Sequence, residues 1–245
     1  MTNREIIKCR DAADLSRRAA EEFIGLAHRA VQSAGRFTVA LSGGSTPKEL
    51  YSQLAAPRYA ARLEWSRVHL FWGDERCVPP DHPESNFRMV QETLLAKVQI
   101  PRENVHRMAG EKDPQVAAVE YEAELNSFFP ISNMDWPRFD LILLGLGEDG
   151  HTASLFPGSE ALDEDQHFVT VAYIEKFKTH RLTLTLSVLN QAARIVFLVS
   201  GSSKAQILEQ LLRSDPKSQI FPAGRVNPAE GEVTWLVDAA AAANL

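Results

Sequence analysis

Between Asp11 and Ala34 the apolar residues Leu15, Ala19, Phe23, Leu26 and Ala30 return every three or four positions, the period of one helix face. Asp11 stands where an N-cap belongs and Gly35 where a helix stops, so the spacing predicts a long amphipathic helix. The period then changes. Phe37 to Leu41 is a short unbroken apolar run, which predicts a strand buried on both faces, and Ser42-Gly43-Gly44-Ser45-Thr46-Pro47 predicts a tight turn with Pro47 starting a helix over Lys48 to Ala55. The unit recurs as a strand at Val68 to Trp72, a turn at Gly73 to Arg76, a helix over Glu84 to Lys97, a short strand at Val105 to Met108, a helix over Val116 to Phe128, and a buried strand at Phe139 to Leu144. Further strands are predicted at Phe168 to Tyr173, Arg181 to Leu186, Arg194 to Val199 and Val233 to Val237, with a helix over Ser203 to Leu212 and a terminal helix in the alanine run Ala239 to Ala243. Strands alternating with helices mean an α/β fold with a largely parallel open sheet flanked by helices. Two strands without a helix between them at 168 to 186 predict a small antiparallel piece.

Composition narrows the class. With 245 residues the chain is long enough for one large core, and we expect a single α/β domain over 1–245. A formal charge of −6 disfavours a nucleic-acid partner, which would require a broad cationic face, yet leaves room for a small anion held by a few local cations. Two cysteines, Cys9 and Cys77, are too few for a disulfide framework and fit a reducing compartment. The charged N-terminus lacks an apolar signal core, and no apolar run approaches the ~18 residues of a membrane span, so the expected location is cytoplasmic with no membrane partner.

The chemistry concentrates between Asp140 and Gly158. An apolar run ends there in Gly145-Leu-Gly-Glu-Asp-Gly-His151, and glycines 145, 147 and 150 let the backbone turn sharply and approach a ligand closely. Asp149 and His151 add an acceptor and a titratable imidazole at the carboxyl end of a strand, where open α/β sheets bind ligands. The spacing also spells Gly-x-Gly-x-x-Gly, but a dinucleotide fingerprint should open directly into a helix, and Pro157 and Gly158 interrupt this one within two turns. Parallel strands open on one edge, so Ser42 to Thr46, Asp74 to Arg76, Gly145 to His151 and Gly201 to Lys204 can converge there, joined by Arg181. Gly43, Gly44, Ser45 and Thr46 lead into a helix N-terminus, whose free amides favour an anion, and without Gly-Lys-Ser/Thr a sugar phosphate suits the turn better than ATP. Arg181 offers a planar fork for two phosphate oxygens and Lys204 a point charge, though each alone is also an ordinary surface residue, and Asp74 with Arg76 could equally be a surface ion pair. The other six histidines lack metal-ligand spacing, and no Gly-x-Ser-x-Gly elbow is present, so neither a metal nor a serine nucleophile is expected.

Five stretches together resemble the 6-phosphogluconolactonase family: Leu41-Ser-Gly-Gly-Ser-Thr-Pro-Lys-Glu-Leu-Tyr51, Phe71-Trp-Gly-Asp-Glu-Arg76 followed by Ser85-Asn86, Gly145 to Gly158, Arg181-Leu-Thr-Leu-Thr185, and Val199-Ser-Gly-Ser-Ser-Lys204. The segment Pro222 to Asp238, with Trp235-Leu-Val-Asp, is similar as well. Related glucosamine-6-phosphate deaminases usually continue the Asp-Gly-His loop into Ile-Ala-Phe-Asn-Glu, whereas this chain has Thr152-Ala-Ser-Leu-Phe-Pro157. The resemblance implies a NagB/RpiA/CoA-transferase-like fold, hydrolysis of 6-phosphoglucono-δ-lactone in the oxidative pentose phosphate pathway, and no cofactor. For such a hydrolysis His151 is the candidate general base, with Asp149 orienting its ring or binding hydroxyls, and the resemblance implies Arg181 and Lys204 on the 6-phosphate. It sets Gly43 to Thr46, Gly150 and Arg76 against the sugar and the developing oxyanion, and Asp74 on hydroxyls. A monomer or weak dimer is expected. The alternatives are a deaminase-type isomerase on the same scaffold and a sugar-phosphate sensor without turnover.

Overall fold

The computed structural model describes residues 3–129, 136–212 and 216–245, so Met1 and Thr2 of the charged N-terminal segment lie outside the described residues. In chain order the elements are β1 (Asn3–Cys9), α1 (Ala12–Ala34), β2 (Phe37–Leu41), α2 (Ser45–Leu54), α3 (Pro57–Ala60), β3 (Val68–Trp72), β4 (Asp74–Arg76), α4 (Asn86–Val90) and β5 (Val105–His106). They continue with α5 (Pro114–Phe128), β6 (Leu141–Leu144), β7 (Val169–Ile174), β8 (Thr179–Leu184), α6 (Leu186–Leu189), β9 (Arg194–Val199), α7 (Ala205–Leu212), α8 (Pro222–Arg225) and β10 (Glu232–Asp238).

Seven strands form one sheet in the order β1-β10-β9-β6-β2-β3-β5, and every pairing in it is parallel. The central strands β2 and β6 are buried at every residue, which explains their unbroken apolar sequence. Each fully buried Leu, Ile or Phe contributes about 1.5–3 kcal/mol, so a charge at Ile142 would unseat the sheet centre. Helix α1 buries Leu15, Ala19, Phe23 and Ala27, and the Phe23 ring meets Phe37 of β2 edge-on at 5.2 Å. Its ends follow the sequence: the Asp11 side chain accepts from the Asp14 amide, and Gly35 closes the helix with φ 74.

The predicted antiparallel piece is a second sheet, β4-β8-β7, paired antiparallel throughout. Gly73 is the crossover, donating its N–H to Leu41 in the large sheet while its carbonyl accepts from Leu184 in the small one. Gly73 to Arg76, expected to be a turn, is therefore a corner followed by strand β4, because a partner strand supplies the hydrogen bonds a turn would have made internally.

Other boundaries moved. Helix α2 starts at Ser45, before Pro47, and the helix expected over Glu84 to Lys97 is α4 followed by a π-helical segment over Gln91–Leu95. The alanine tail is not a helix. Asp238 accepts the Ala241 amide with its side chain and the Ala242 amide with its carbonyl, folding the run into turns that bury Ala241 and Ala242. No helix among the described residues is long and apolar enough to cross a membrane.

Candidate active site

The chain runs from β2 to β3 and β5 on one side, then returns to place β6, β9 and β10 on the other, so the order reverses between β2 and β6. Such a reversal opens a crevice at the carboxyl ends of the strands. A cleft of about 250 Å³ lies there, walled by the segments that follow β2, β3, β6 and β9 and by Arg181 of β8. Gly43, Gly44, Ser45, Thr46, Asp74, Arg76, His151, Arg181 and Lys204 all line it.

The first wall is the start of α2. Gly44 adopts φ 104 and ψ 168, a conformation essentially restricted to glycine, and no side chain caps the helix. The first amides of α2 thus lack intrahelical acceptors beside the cleft, where they favour negative charge.

His151 forms the second wall, with Asp149 hydrogen-bonded to its ring. The imidazole Nδ1 lies 2.5 Å from Asp149 Oδ1, and the His151 amide donates to the same oxygen at 3.1 Å. A carboxylate acceptor requires a proton on Nδ1, which leaves the lone pair of the neutral ring on Nε2. Burial pushes Asp149 up, but the charge and the two hydrogen bonds of His151 outweigh it and hold the carboxyl below its ordinary value. The expected reason for the glycines is only half right. A Cβ at Gly147 would stand 2.0 Å from His151 Nδ1 and 2.6 Å from Asp149 Oδ1, so Gly147, which lines the cleft with Gly145, also makes room for the His151 and Asp149 pair. Gly150 is off the cleft, packed on Phe221, with its carbonyl accepting from Ala223, and Asp149 sits behind the imidazole rather than on the wall.

The third wall is cationic. Arg76 of β4 and Arg181 of β8 are directly opposite each other in the antiparallel register. Like charges so placed repel, and the buried Nε of each has no hydrogen-bond partner among the described residues. Burial and the Arg76 charge pull Arg181 below its ordinary value against the attraction of Asp74. A doubly charged phosphate would relieve both the repulsion and the orphaned donors. Lys204 stands at the end of the Ser202–Lys204 turn, 3.9 Å from Glu148, on a loop that Asp238 fixes through Ser200 Oγ at 2.5 Å and the Gly201 amide at 3.1 Å.

Beneath the arginines lies a buried polar network that the sequence did not assign. Asp74 accepts from Ser154 Oγ at 2.7 Å and from Asn86 Nδ2 at 3.3 Å, so both its oxygens are already engaged. Glu75 accepts the amides of Asn86 and Phe87 at 2.7 Å and Ser85 Oγ at 3.1 Å. Burial pushes the Glu75 carboxyl up despite those donors. Asn86, which lines the cleft, comes so near Gly43 that a Cβ there would be 1.9 Å from its Oδ1. The only sequence signal for this contact was the Ser85-Asn86 pair within the family likeness. Among the described residues no three His, Cys, Asp or Glu side chains gather to hold a metal ion.

Residues 10–235 match the family described as glucosamine-6-phosphate isomerases/6-phosphogluconolactonase. A 6-phosphogluconolactonase of Synechocystis sp. is 46% identical over 218 residues, covering 89% of this chain and 88% of that one. The solved 6-phosphogluconolactonase of Trypanosoma brucei superposes with a TM-score of 0.87 at 28% identity, covering 100% of both chains. A monomeric glucosamine-6-phosphate deaminase superposes with a TM-score of 0.82 at 22% identity over 98% of this chain and 100% of that one, a likeness of fold alone.

Proposed function

The chain belongs to the glucosamine-6-phosphate isomerase/6-phosphogluconolactonase family, and we propose that it carries out the lactonase reaction, hydrolysing 6-phosphoglucono-δ-lactone to 6-phosphogluconate. A δ-lactone is a reactive ester. General-base activation of water contributes typically ~10²- to 10⁴-fold and each well-placed oxyanion donor ~10²- to 10³-fold, so no covalent nucleophile is required.

The observation that carries the assignment is the His151 and Asp149 pair facing two opposed, under-satisfied arginines across one cleft. His151 Nε2 takes a proton from water as the water oxygen bonds to the lactone carbonyl carbon. The tetrahedral oxyanion is met by the free amides at the start of α2. On collapse the bond from that carbon to the ring oxygen breaks, and the imidazolium returns its proton to the departing oxygen. The new carboxylic acid then releases a proton to solvent. Asp149 holds the tautomer and stabilises the transient imidazolium. Because Arg76 stands opposite Arg181, it joins Arg181 on the 6-phosphate instead of meeting the oxyanion as the resemblance implied, and Lys204 adds its charge to the same cleft. Asp74, with each oxygen accepting one hydrogen bond from Ser154 or Asn86, acts by fixing the wall and has lone pairs left for one substrate hydroxyl. Gly150 contributes through the loop geometry.

The whole chain acts as one catalytic domain without a cofactor, as a monomer or weak dimer in the cytoplasm, with no nucleic-acid partner. Its charge of −6 and two free cysteines support that setting. One assay separates the family's two activities: acid release from freshly made lactone, corrected for spontaneous opening, against ammonia release from glucosamine 6-phosphate. Acid release alone is expected. Ammonia release would assign a deaminase, and binding of 6-phosphogluconate with neither activity would assign a sensor.

A further inference from the structure

Phe156 has no part in the chemistry described so far, yet it touches both ends of it. Its ring stacks on the His151 imidazole with centroids 4.1 Å apart and planes 21° from parallel. The Arg181 guanidinium carbon lies over the same ring at 5.7 Å, and over Phe177 of the β7 to β8 turn at the same distance. We propose that Phe156 is a positioning residue whose ring sets the general base and the phosphate-binding arginine relative to one another.

The backbone is bent to make this contact. Phe156 follows His151 by five positions, and the chain must double back for the two rings to stack. It does so through a tight turn in which the Leu155 amide donates to the Thr152 carbonyl and Ala153 takes φ 48, a conformation that residues with a Cβ rarely adopt. Three side chains hold that turn: Thr152 Oγ1 donates to the Gly145 carbonyl, Ser154 Oγ donates to Asp74, and the Ser154 amide donates to Thr183 Oγ1. A strained turn anchored to β4, to β8 and to the segment after β6 brings Phe156 back over the base.

An aromatic face is electron-rich, so it attracts the imidazolium formed after proton abstraction more than the neutral ring that precedes it, and it attracts the guanidinium throughout. Phe156 therefore favours the state the base passes through. The other charged groups near the imidazole are Asp149 on Nδ1, Arg181 beyond Phe156, and Arg76, Asp74 and the Lys204 and Glu148 pair elsewhere around the cleft. A neutral replacement at 156 adds or removes none of these charges.

The test is kcat and KM across pH 5 to 8 for wild type, Phe156→Leu and Phe156→Tyr, with fresh lactone and spontaneous opening subtracted. Loss of the π face should move the acid limb of kcat/KM down by about half a pH unit, lower kcat and raise KM by about two- to fivefold each. Phe156→Tyr should restore all three. An acid limb unmoved in Phe156→Leu, or a Tyr variant as impaired as the Leu one, overturns the proposal. If circular dichroism shows Phe156→Leu unfolded, Phe156→Met fills a similar volume without a π face and carries the same expectations. The proposal rests on His151 as base, and the two fail differently: a wild-type acid limb that survives in His151→Ala removes the base itself, whereas a limb lost in His151→Ala but indifferent to residue 156 removes only the positioning role.

Discussion

Arg181→Met separates substrate binding from fold stability at one position. In the free protein Arg181 faces Arg76 across the small sheet, and its buried Nε has no partner among the described residues. A like-charged cross-strand pair costs ~0.2–1 kcal/mol and a buried unsatisfied donor ~1–3 kcal/mol, partly offset in wild type by the guanidinium over the Phe156 and Phe177 rings at about 0.5–1 kcal/mol each. Removing the charge should thus leave the unliganded protein as stable as wild type or more so, and a gain of about 1 kcal/mol in a chain of this size raises Tm by about 2–4 °C. Binding should move the opposite way. A hydrogen bond to a charged group is worth ~1.5–3 kcal/mol, and each ~1.4 kcal/mol is tenfold in affinity, so KM should rise about ten- to a hundredfold with kcat little changed. The measurements are lactone kinetics and a thermal melt with and without inorganic phosphate, which should stabilise wild type and not the variant. A variant with unchanged KM and a collapsed kcat would put Arg181 on the carbonyl. One melting several degrees lower without phosphate would show that the opposed arginines are not under strain.

Gly147→Ala would drive a methyl into the space between His151 Nδ1 and Asp149 Oδ1; since misplacement by about 1 Å can cost ~10²-fold, kcat should fall by about that factor with far-UV circular dichroism retained, and near-normal turnover would refute the packing account. Burial, with the charges of His106 and Arg36, pushes His69 down to about 4. Its unfolded form takes up a proton below ~6.5 and its folded form resists until about 4, so it removes stability as pH falls through that window. After allowance for its partial exposure this is about 1–2 kcal/mol, and urea titrations at pH 7 and pH 4.5 should show His69→Gln losing less stability than wild type. Parallel losses would refute it.

The central strands were legible because burial on both faces leaves a sequence with no other explanation: β2, β3 and β9 have the bounds their apolar runs announce. Strand β1 was missed because it is an edge strand pairing only with β10, and its Arg4, Glu5 and Lys8 read as a solvated terminus. At the site, His151, Asp149 and the glycine turn were visible as local patterns. What could not be seen was contact between residues far apart in sequence. Arg76 was read in a turn, whereas its meaning comes from standing opposite Arg181, a pairing between strands that local periodicity cannot reveal. Asn86 against Gly43, and Ser154 on Asp74, escaped for the same reason. The alanine tail misled through helix propensity, which a single carboxylate, Asp238, overrides by capturing the Ala241 amide.

In the proposed mechanism one imidazole, held by Asp149, activates the water that opens the lactone. Its most direct test is the turnover of His151→Ala at saturating lactone, with the spontaneous rate subtracted. Loss of the base should leave kcat at least about a hundredfold below wild type with KM changed less than about threefold. Turnover near the wild-type value would contradict it.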